Sequence, residues 1–311
     1  MKITAIVVTY NRLELLKKSI QCLHAALEQV QSENIDCHIC VINNGSTDGT
    51  HEWLDEQSGL EVIHQDNVGG SGGFYTGIKK AYEEGADWIW CMDDDVFPKQ
   101  HCLLSLLEEV NKHKDEPLGI LSPRRLLEGV IFTHEFQHFN FTNPLASMHG
   151  KKIKGHDLNE TIEIVGCDFE GPFISRKVVE TIGFPNKDLF IFCDDTEYCL
   201  CTHLAGFKLY YVPSALMDKH KFFSNDSWTT KNQKKKWKRY YQVRNEAYMN
   251  HHYGKNWSVR YLRSFIGLLG YYIPALFSMP FSKAWKLKDL KVLWEAYQDG
   301  IHEKLGIRKF N

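Results

Sequence analysis

The sequence predicts an α/β protein built on a doubly wound, mainly parallel sheet with a C-terminal helical region. Over the first hundred residues, short β-branched runs alternate with amphipathic stretches, which is typical of parallel βαβ units. After about residue 225 the chain becomes rich in Lys, Arg and aromatic residues and has helical character. Of the 311 residues, 43% are hydrophobic and 24% are charged, which excludes a disordered or fibrous protein.

The first half of the chain has the clearest strand and helix patterns. Residues 3–9 form a short β-branched run and predict a buried strand. Asn11 is placed to cap a helix whose apolar face consists of Leu13, Leu16, Ile20, Leu23 and Leu27. Further strands are predicted at residues 37–43, 61–65 and 88–92, with helices at residues 50–57 and 74–84. In such a sheet the ligand lies beyond the carboxyl ends of the strands.

The second half is less regular. Residues 120–165 have a loop-like composition without a clear period. A strand-like stretch then runs from residue 165 to 175, followed by a helix over residues 176–182, a helix from Asp194 to Gly206, and a strand over residues 208–212 that Pro213 stops. We therefore expect one domain over residues 1–225 and a basic, aromatic helical region over residues 226–311.

Charge is divided unequally along the chain. Residues 1–204 hold 17 Lys and Arg against 32 Asp and Glu, whereas residues 205–311 hold 20 against 7. The net charge of −2 therefore combines a half of −15 with a half of +13. A basic C-terminal region of this kind indicates contact with an anionic partner.

The N-terminus and the cysteines indicate a cytoplasmic protein. The chain enters its first strand directly, without the features of a secretory signal peptide. Its nine cysteines follow neither a disulfide nor a zinc pattern, so we expect reduced thiols. No run of 18 apolar residues is free of charge, so a membrane-spanning helix is not expected.

Three adjacent carboxylates follow the strand predicted at residues 88–92. Asp93, Asp94 and Asp95 repel one another unless a cation binds them, although an acidic turn in solvent is the simpler alternative. Oxygen ligands of this kind suit Mg²⁺ or Mn²⁺. A second acidic group, Asp194, Asp195 and Glu197, opens a helix, where one carboxylate is explained by capping and another is available as a general base.

Glycine is concentrated in residues 67–74, which read N-V-G-G-S-G-G-F. Neither a P-loop nor a dinucleotide fingerprint is present. Four glycines in five positions allow close approach of backbone to a ligand, and a plain flexible loop is the alternative.

Taken together, four strings resemble family 2 glycosyltransferases with the GT-A fold. The strings are residues 7–12 (V-V-T-Y-N-R), 42–50 (I-N-N-G-S-T-D-G-T), the Asp triplet 93–95, and residues 194–197 (D-D-T-E). Their order covers about residues 1–220. The glycine string followed by the Asp triplet is most similar to bacterial galactofuranosyltransferases, and His220 and residues 240–245 also fit that subgroup.

The resemblance implies roles for particular residues. The donor nucleotide sugar is expected to contact Thr9, Tyr10, Arg12, Asn43, Asn67, Gly69 and Asp94. Asn43 occupies the position that reads uracil, where family members often have Asp. The metal ion, Mn²⁺ or Mg²⁺, is expected on Asp93, Asp95 and His220. Asp195 matches the catalytic base, with Asp194 and Glu197 shaping the acceptor side.

The implied enzyme is an inverting, metal-dependent hexosyltransferase. It would move galactofuranose from a UDP-sugar to a glycan or lipid-linked glycan acceptor in bacterial polysaccharide synthesis. Residues 1–97 would form the nucleotide-sugar half of the catalytic domain and residues 98–225 the acceptor half. The alternatives are a rhamnosyltransferase or pyranosyl-transferring member of the family, and, from other classes, a nucleotidyltransferase or a non-catalytic sugar-nucleotide sensor.

The C-terminal region predicts attachment to an anionic membrane surface. Basic residues surround Trp237, and the uncharged aromatic stretch 265–281 is interrupted by two prolines, which suits an interfacial segment better than a spanning helix. The basic residues concerned are Lys231, Lys234, Lys235, Lys236, Lys238, Arg239, Arg260, Arg263, Lys283, Lys286 and Lys288. We expect a peripheral protein on the inner face of the cell membrane. A helical lid and a subunit contact are the alternatives, the oligomeric state stays open, and no motif indicates nucleic-acid binding.

Overall fold

A computed structural model describes residues 1–32, 34–222, 236–279 and 285–309. The chain divides into two compact units. The first, here called the sheet unit, comprises Met1–His138, Lys151–Lys187 and Asp195–Lys221. The second, here called the helical unit, comprises Phe139–Gly150, Asp188–Asp194 and Phe222–Asn311. The predicted boundary at residue 225 lies outside the described residues.

A ten-stranded sheet organises the sheet unit. Its strands are β1 (Lys2–Thr9), β2 (Asp36–Asn43), β3 (Glu61–His64), β4 (Trp88–Asp93), β5 (Val96–Pro98), β6 (Leu118–Leu127), β7 (Val130–Phe132), β8 (Ile162–Ile164), β9 (Phe173–Ser175) and β10 (Lys208–Lys219). The main order is β3-β2-β1-β4-β9-β6-β10-β5. The pairs β1–β2, β1–β4, β2–β3 and β6–β10 are parallel, while β5 and β9 pair antiparallel with their neighbours.

Helices cover both faces of this sheet. They are α1 (Leu13–Glu28), α2 (Thr50–Asp55), α3 (Gly69–Glu83), α4 (Cys102–Lys112), α5 (Arg176–Ile182) and α6 (Asp194–Leu204). Alternate residues of β1 enter two different apolar clusters: Ala5 packs with residues of α1 and α4, and Ile6 with residues of α3 and α5. Because alternate side chains of a strand point to opposite faces, the two clusters lie on opposite sides of the sheet. The predicted doubly wound, mainly parallel architecture is confirmed.

Four local predictions were wrong. The strand predicted over residues 165–175 is confined to Phe173–Ser175. Asn11 does not cap α1: its φ is 54°, its Oδ1 accepts from Thr47 N, and Asp48 Oδ2 accepts from Leu13 N instead. Pro213 does not stop a strand, because β10 continues to Lys219 after a register shift between Val212 and Leu216. Residues 120–165 are not all loop, since they include most of the ten-residue strand β6.

The glycine string forms the first turns of α3 rather than a loop. A Cβ on Gly73 would lie 2.5 Å from Val8 Cγ1, and one on Gly77 would lie 2.9 Å from Ile6 Cδ1. These glycines therefore allow α3 to pack closely on β1. Gly69, with φ of +78°, begins the helix in a conformation that favours glycine.

The helical unit contains α7 (Lys236–Tyr253), α8 (Ser264–Ser278) and α9 (Leu287–Ile301), with a π-helical stretch, Ser258–Arg263, leading into α8. Leu268 of α8 packs with Tyr241 and Val243 of α7 and with Leu293 of α9 in one apolar cluster. Among the described residues, no helix is both long and apolar enough to cross a membrane. All nine cysteines are free thiols, and five of them are buried.

Candidate active site

Polar side chains meet at the carboxyl ends of β1 and β4. Thr9 ends β1, and its Oγ1 donates to Asp94 Oδ2 over 2.7 Å. Arg12 Nη1 donates to Asp94 Oδ1 over 2.9 Å. Asp94 is buried, and burial raises its pKa although Arg12 and Thr9 favour its ionised form. The predicted donor residues Thr9, Arg12 and Asp94 are therefore in direct contact.

Asp95 lies between two cations. Its Oδ2 is 3.5 Å from Arg12 Nη1, and its Oδ1 is 3.3 Å from Lys219 Nζ. Lys219 also binds Glu170 Oε1 at 2.7 Å. The antiparallel pairing of β10 with β5 brings Lys219 here, and it extends to His220, whose backbone N donates to Asp95 O over 2.9 Å. The His220 side chain is exposed.

A buried arginine continues this network. Arg125 is 1% exposed and binds Glu135, Asp168 and Glu170 at 2.9, 2.7 and 2.5 Å. Burial lowers the pKa of Arg125, but the three carboxylates outweigh it and raise the pKa well above the ordinary value. His134 Nδ1 contacts Asp168 Oδ2 at 2.8 Å, and this hydrogen bond raises the pKa of His134.

The carboxylates in this network outnumber the permanent cations. We call the following six residues the carboxylate cluster: Asp93, Asp94, Asp95, Glu135, Asp168 and Glu170. Their permanently charged partners are Arg12, Lys219 and Arg125. Burial raises the pKa of Asp93 well above its usual range, and the charges of Asp95, Glu170 and Asp94 raise it further. Additional positive charge is therefore stabilising at this site.

The other predicted donor residues lie at neighbouring strand ends. Asn43 ends β2 and is buried; its Oδ1 accepts from Ser46 N at 3.1 Å, and its Nδ2 lies 3.0 Å from His64 Nδ1. Asn67 Oδ1 accepts from Gly69 N at 3.0 Å, just before α3. Tyr10 is 46% exposed. Asn43 thus stabilises its own turn, and its contact with a base stays a prediction.

The second acidic group begins α6. Asp195 Oδ1 accepts from Thr196 N at 2.5 Å and from Thr196 Oγ1 at 3.1 Å. Asp194 and Glu197 are buried. Asp194 is the last residue of its segment of the helical unit, whereas Asp195 and Glu197 belong to the sheet unit. The catalytic roles of these three residues stay predictions.

Among the described residues, another group of side chains brings three possible metal ligands together. Ligand atoms of His51, Asp55 and His64 lie within 4.8 Å of one another, a criterion that the predicted triad of Asp93, Asp95 and His220 does not meet. However, the His51 and His64 rings stack 3.8 Å apart at 24°. Nearly parallel rings do not direct their in-plane lone pairs at one ion, so this group does not have the geometry of a metal site.

Sequence reasoning missed five residues of the site: Arg125, Glu135, Asp168, Glu170 and Lys219. Glu170 and Asp168 precede β9 in the string C-D-F-E-G-P, where two carboxylates beside an apolar strand are a detectable signal. Lys219 adjoins His220, but the strand was predicted to end at residue 212, so Lys219 was not expected to lie in β10. Arg125 lies within the stretch that was predicted to be loop.

Comparison with known proteins identifies the family. The profile described as glycosyl transferase family 2 matches residues 4–183, more than half of the chain. The chain belongs to this family. Galactofuranosyltransferase GlfT1 of Mycolicibacterium smegmatis is 26% identical over 209 residues, which are 63% of this chain and 63% of that protein. The dTDP-rhamnosyl transferase RfbF of Shigella flexneri is 24% identical over 229 residues, 69% of this chain and 68% of that protein.

Solved structures of glycosyltransferases share the fold. TarS 1–349 of S. aureus has a TM-score of 0.53 at 13% identity, covering 97% of this chain and 83% of that one. GalNAc-T7, solved with UDP, GalNAc and Mn²⁺, has a TM-score of 0.58 at 12% identity, covering 98% of this chain and 56% of that one. The predicted GT-A fold is confirmed, with helices in the C-terminal part.

Proposed function

We propose that this protein is an inverting, metal-dependent glycosyltransferase that moves galactofuranose from UDP-galactofuranose to a glycan or lipid-linked glycan acceptor in bacterial polysaccharide synthesis. The excess of carboxylates over cations in the carboxylate cluster is the observation that carries this proposal. The Asp93–Asp95 part of the cluster lies at the carboxyl ends of β1 and β4, where α/β sheets bind their ligands. The family and the solved structure with UDP and Mn²⁺ support a nucleotide-sugar donor and a divalent metal.

The residues present fit a divalent cation. Asp93 and Asp95 offer oxygen ligands, which Mn²⁺ and Mg²⁺ prefer. The raised pKa of Asp93 reflects burial and repulsion that a cation would relieve. We assign Asp93 and Asp95 as ligands and His220 as a further ligand. When bound, the cation would stabilise the negative charge that develops on the departing diphosphate.

The chain's own groups would bind the donor and accept the proton. Thr9 and Arg12 hold the carboxylate of Asp94 in one orientation, and this carboxylate would line the donor site. We propose that Tyr10, Asn43, Asn67 and Gly69 complete the nucleotide-sugar site. Asp195 would take the proton of the acceptor hydroxyl as it attacks the anomeric carbon from the face opposite the leaving group, which inverts the configuration. Asp194 and Glu197 would shape the acceptor side.

The sugar is assigned from the subgroup signal and the relatives. The glycine string followed by the Asp triplet indicates galactofuranose, and the similarity to GlfT1 agrees with it. The similarity to RfbF favours one alternative, transfer of rhamnose from a dTDP-sugar. Thymine has the same hydrogen-bonding edge as uracil, so the contacts at Asn43 do not separate the two donors.

We also propose that the protein works at the inner face of the cell membrane, attached to anionic lipid through α8. The outward face of the helix from residue 262 onward is apolar, with Leu262, Ile266, Ile273 and Phe277 exposed by 38%, 40%, 47% and 72%. Residues 247–288 contain six Lys and Arg and no Asp or Glu. An apolar surface on a stretch of chain with cations and no acids suits the boundary of an anionic bilayer.

Not all of the basic residues named from the sequence are available to a membrane. Arg263 does not face lipid, because it is buried. Lys231, Lys234, Lys235 and Lys283 lie outside the described residues. Sedimentation with anionic vesicles at low salt, with partial release at high salt, is the expected result. Equal binding to neutral vesicles, or binding to neither kind, would contradict electrostatic attachment.

Incubation with a panel of nucleotide sugars tests the function. With Mn²⁺ and a glycan acceptor, UDP-galactofuranose should release UDP fastest, and EDTA should abolish release. Asp195→Asn should lower turnover by roughly 10³-fold while calorimetry shows unchanged donor binding, because an amide keeps the shape but accepts no proton. Asp194→Asn is the control and should affect the chemical step less. Full activity in EDTA, or faster release from dTDP-rhamnose, would overturn the metal or the sugar assignment.

A further inference from the structure

The segment that leads into α6 has an unfavourable backbone. Phe190, Phe192 and Cys193 have φ of 67°, 70° and 66°. These values lie in the left-handed region, where a Cβ clashes with the backbone. Three such residues within four positions persist only where neighbouring groups hold them. We call residues 188–193 the entry loop, because the chain passes from it directly into Asp194 and Asp195.

One side chain of α7 binds three of the six carbonyl groups of the entry loop. Asn245 is fully buried, and its Nδ2 donates to the carbonyl oxygens of Leu189, Ile191 and Phe192 at 3.0, 2.8 and 2.9 Å. Arg244 Nε donates to Asn245 Oδ1 at 2.8 Å. Since Arg244 has no acceptor, the oxygen of the amide must face it and the NH₂ group must face the loop. The orientation of this amide is therefore fixed.

Arg244 and an aromatic pair hold the same loop from neighbouring positions. Arg244 Nη2 donates to Leu189 O at 2.8 Å, and its Nη1 donates to Gly306 O at 2.5 Å. Gly306 N in turn donates to Asp188 O at 2.7 Å. The ring of Phe190 stacks on that of Tyr241 with centroids 4.7 Å apart. The entry loop is thus restrained along its length by groups within the helical unit.

We propose that Asn245, supported by Arg244, is a positioning residue for transfer. It touches no substrate; it fixes the backbone of the entry loop and thereby the direction in which Asp195 leaves that loop. The proposal rests on the proposed function, because it takes Asp195 to be the base. A base displaced by about 1 Å lowers turnover by as much as 10²-fold without changing the donor site.

Asn245→Ala tests the proposal. The expected result is a fall in kcat of roughly 10- to 100-fold, with KM for the nucleotide sugar and its affinity by calorimetry unchanged. Asn250→Ala is the matched control. Asn250 is also a buried asparagine of α7, but its Nδ2 donates to Ser264 Oγ at 3.1 Å and it has no described bond to the entry loop. It should lose stability to urea without losing kcat.

Hydrogen exchange gives a second readout that does not depend on activity. Amides of residues 188–194 should exchange faster in Asn245→Ala than in the unchanged protein or in Asn250→Ala. Unchanged exchange, unchanged kcat in Asn245→Ala, or an equal fall of kcat in both variants at equal stability would overturn the proposal. If the unchanged protein transferred no sugar from any donor, the proposed function would fail, whereas the exchange experiment would still decide whether Asn245 holds the loop.

Discussion

Each unit contains a buried arginine, and the two arginines differ in the charge of their hydrogen-bond partners. In the sheet unit, Arg125 is surrounded by three carboxylates, which raise its pKa. In the helical unit, Arg263 is bound by the oxygens of Asn140, Asn143 and Asn250. Burial without a carboxylate lowers the pKa of Arg263. The first arginine is neutralised by ions, whereas the second keeps its charge among neutral acceptors.

This difference follows from where the sequence places acids. The sheet unit draws mainly on the −15 half of the chain, and its buried Arg125 contacts three carboxylates. Between Glu246 and Asp289 there are no acids, so Arg263 has only amides and carbonyls to bind. Buried ion pairs therefore occur in the unit that contains the candidate active site. In the helical unit, the hydrogen bonds of Arg263 to neutral oxygens leave its positive charge without a counter-ion.

Removing Arg125 should have the largest effect on stability. Arg125→Met leaves the buried Glu135 without its cation, which should lower the free energy of unfolding by about 3–5 kcal/mol. Urea unfolding measures this loss. Lys208→Met, which breaks the more exposed pair with Glu163, is the control and should change stability far less, because solvent screens this pair. A loss at Arg125 no larger than at Lys208 would mean that its ionic network does not stabilise the fold.

The corresponding change in the helical unit should cost less. Arg263→Met removes a donor from three neutral oxygens, and unpaired neutral acceptors cost about 1–3 kcal/mol in total when water reaches some of them. The same urea measurement applies. If Arg263→Met destabilised the protein more than Arg125→Met, the contrast between ionic and neutral partners would be reversed.

The smallest expected effect depends on pH. The hydrogen bond to Asp168 raises the pKa of His134, so protonated His134 stabilises the folded state. This contribution is complete below the unfolded value of about 6.5 and is lost as the pH rises through the folded pKa. The side chain is half exposed, so the effect is small. The stability gap between the unchanged protein and His134→Gln should narrow as pH rises; a gap that widened would contradict this.

The sequence predicts the regular part of the sheet unit well, for a physical reason. Strands β1, β2 and β4 are locally apolar and mostly buried, so short-range pattern and tertiary burial agree. Helix α5 was predicted with its observed bounds. The strings at the strand ends were recognisable because polar residues directly after buried strands are unusual.

Long-range contacts explain what the sequence did not reveal. Asp48 rather than Asn11 accepts the hydrogen bond from the first amide of α1. Asp48 is 35 positions away in the chain, so only the folded structure brings it to this amide. Arg125 is invisible as a site residue because its partners lie up to 45 positions away in the chain. Left-handed residues such as Phe190 follow from the bonds of Asn245, which no local pattern encodes.

The register shift in β10 between Val212 and Leu216 separates a part of the strand that packs in the core from a part that reaches the candidate active site. Before the shift, the side chains of Leu209 and Tyr211 pack in the apolar core. After it, the side chain of Lys219 contacts the carboxylate cluster. Because side chains alternate along a strand, losing one residue between these stretches would exchange the faces of Asp218 and Lys219. The bulge at residues 213–215 therefore acts as a spacer of fixed length. We expect an insertion or a deletion at residues 213–215 to move Lys219 away from the carboxylate cluster.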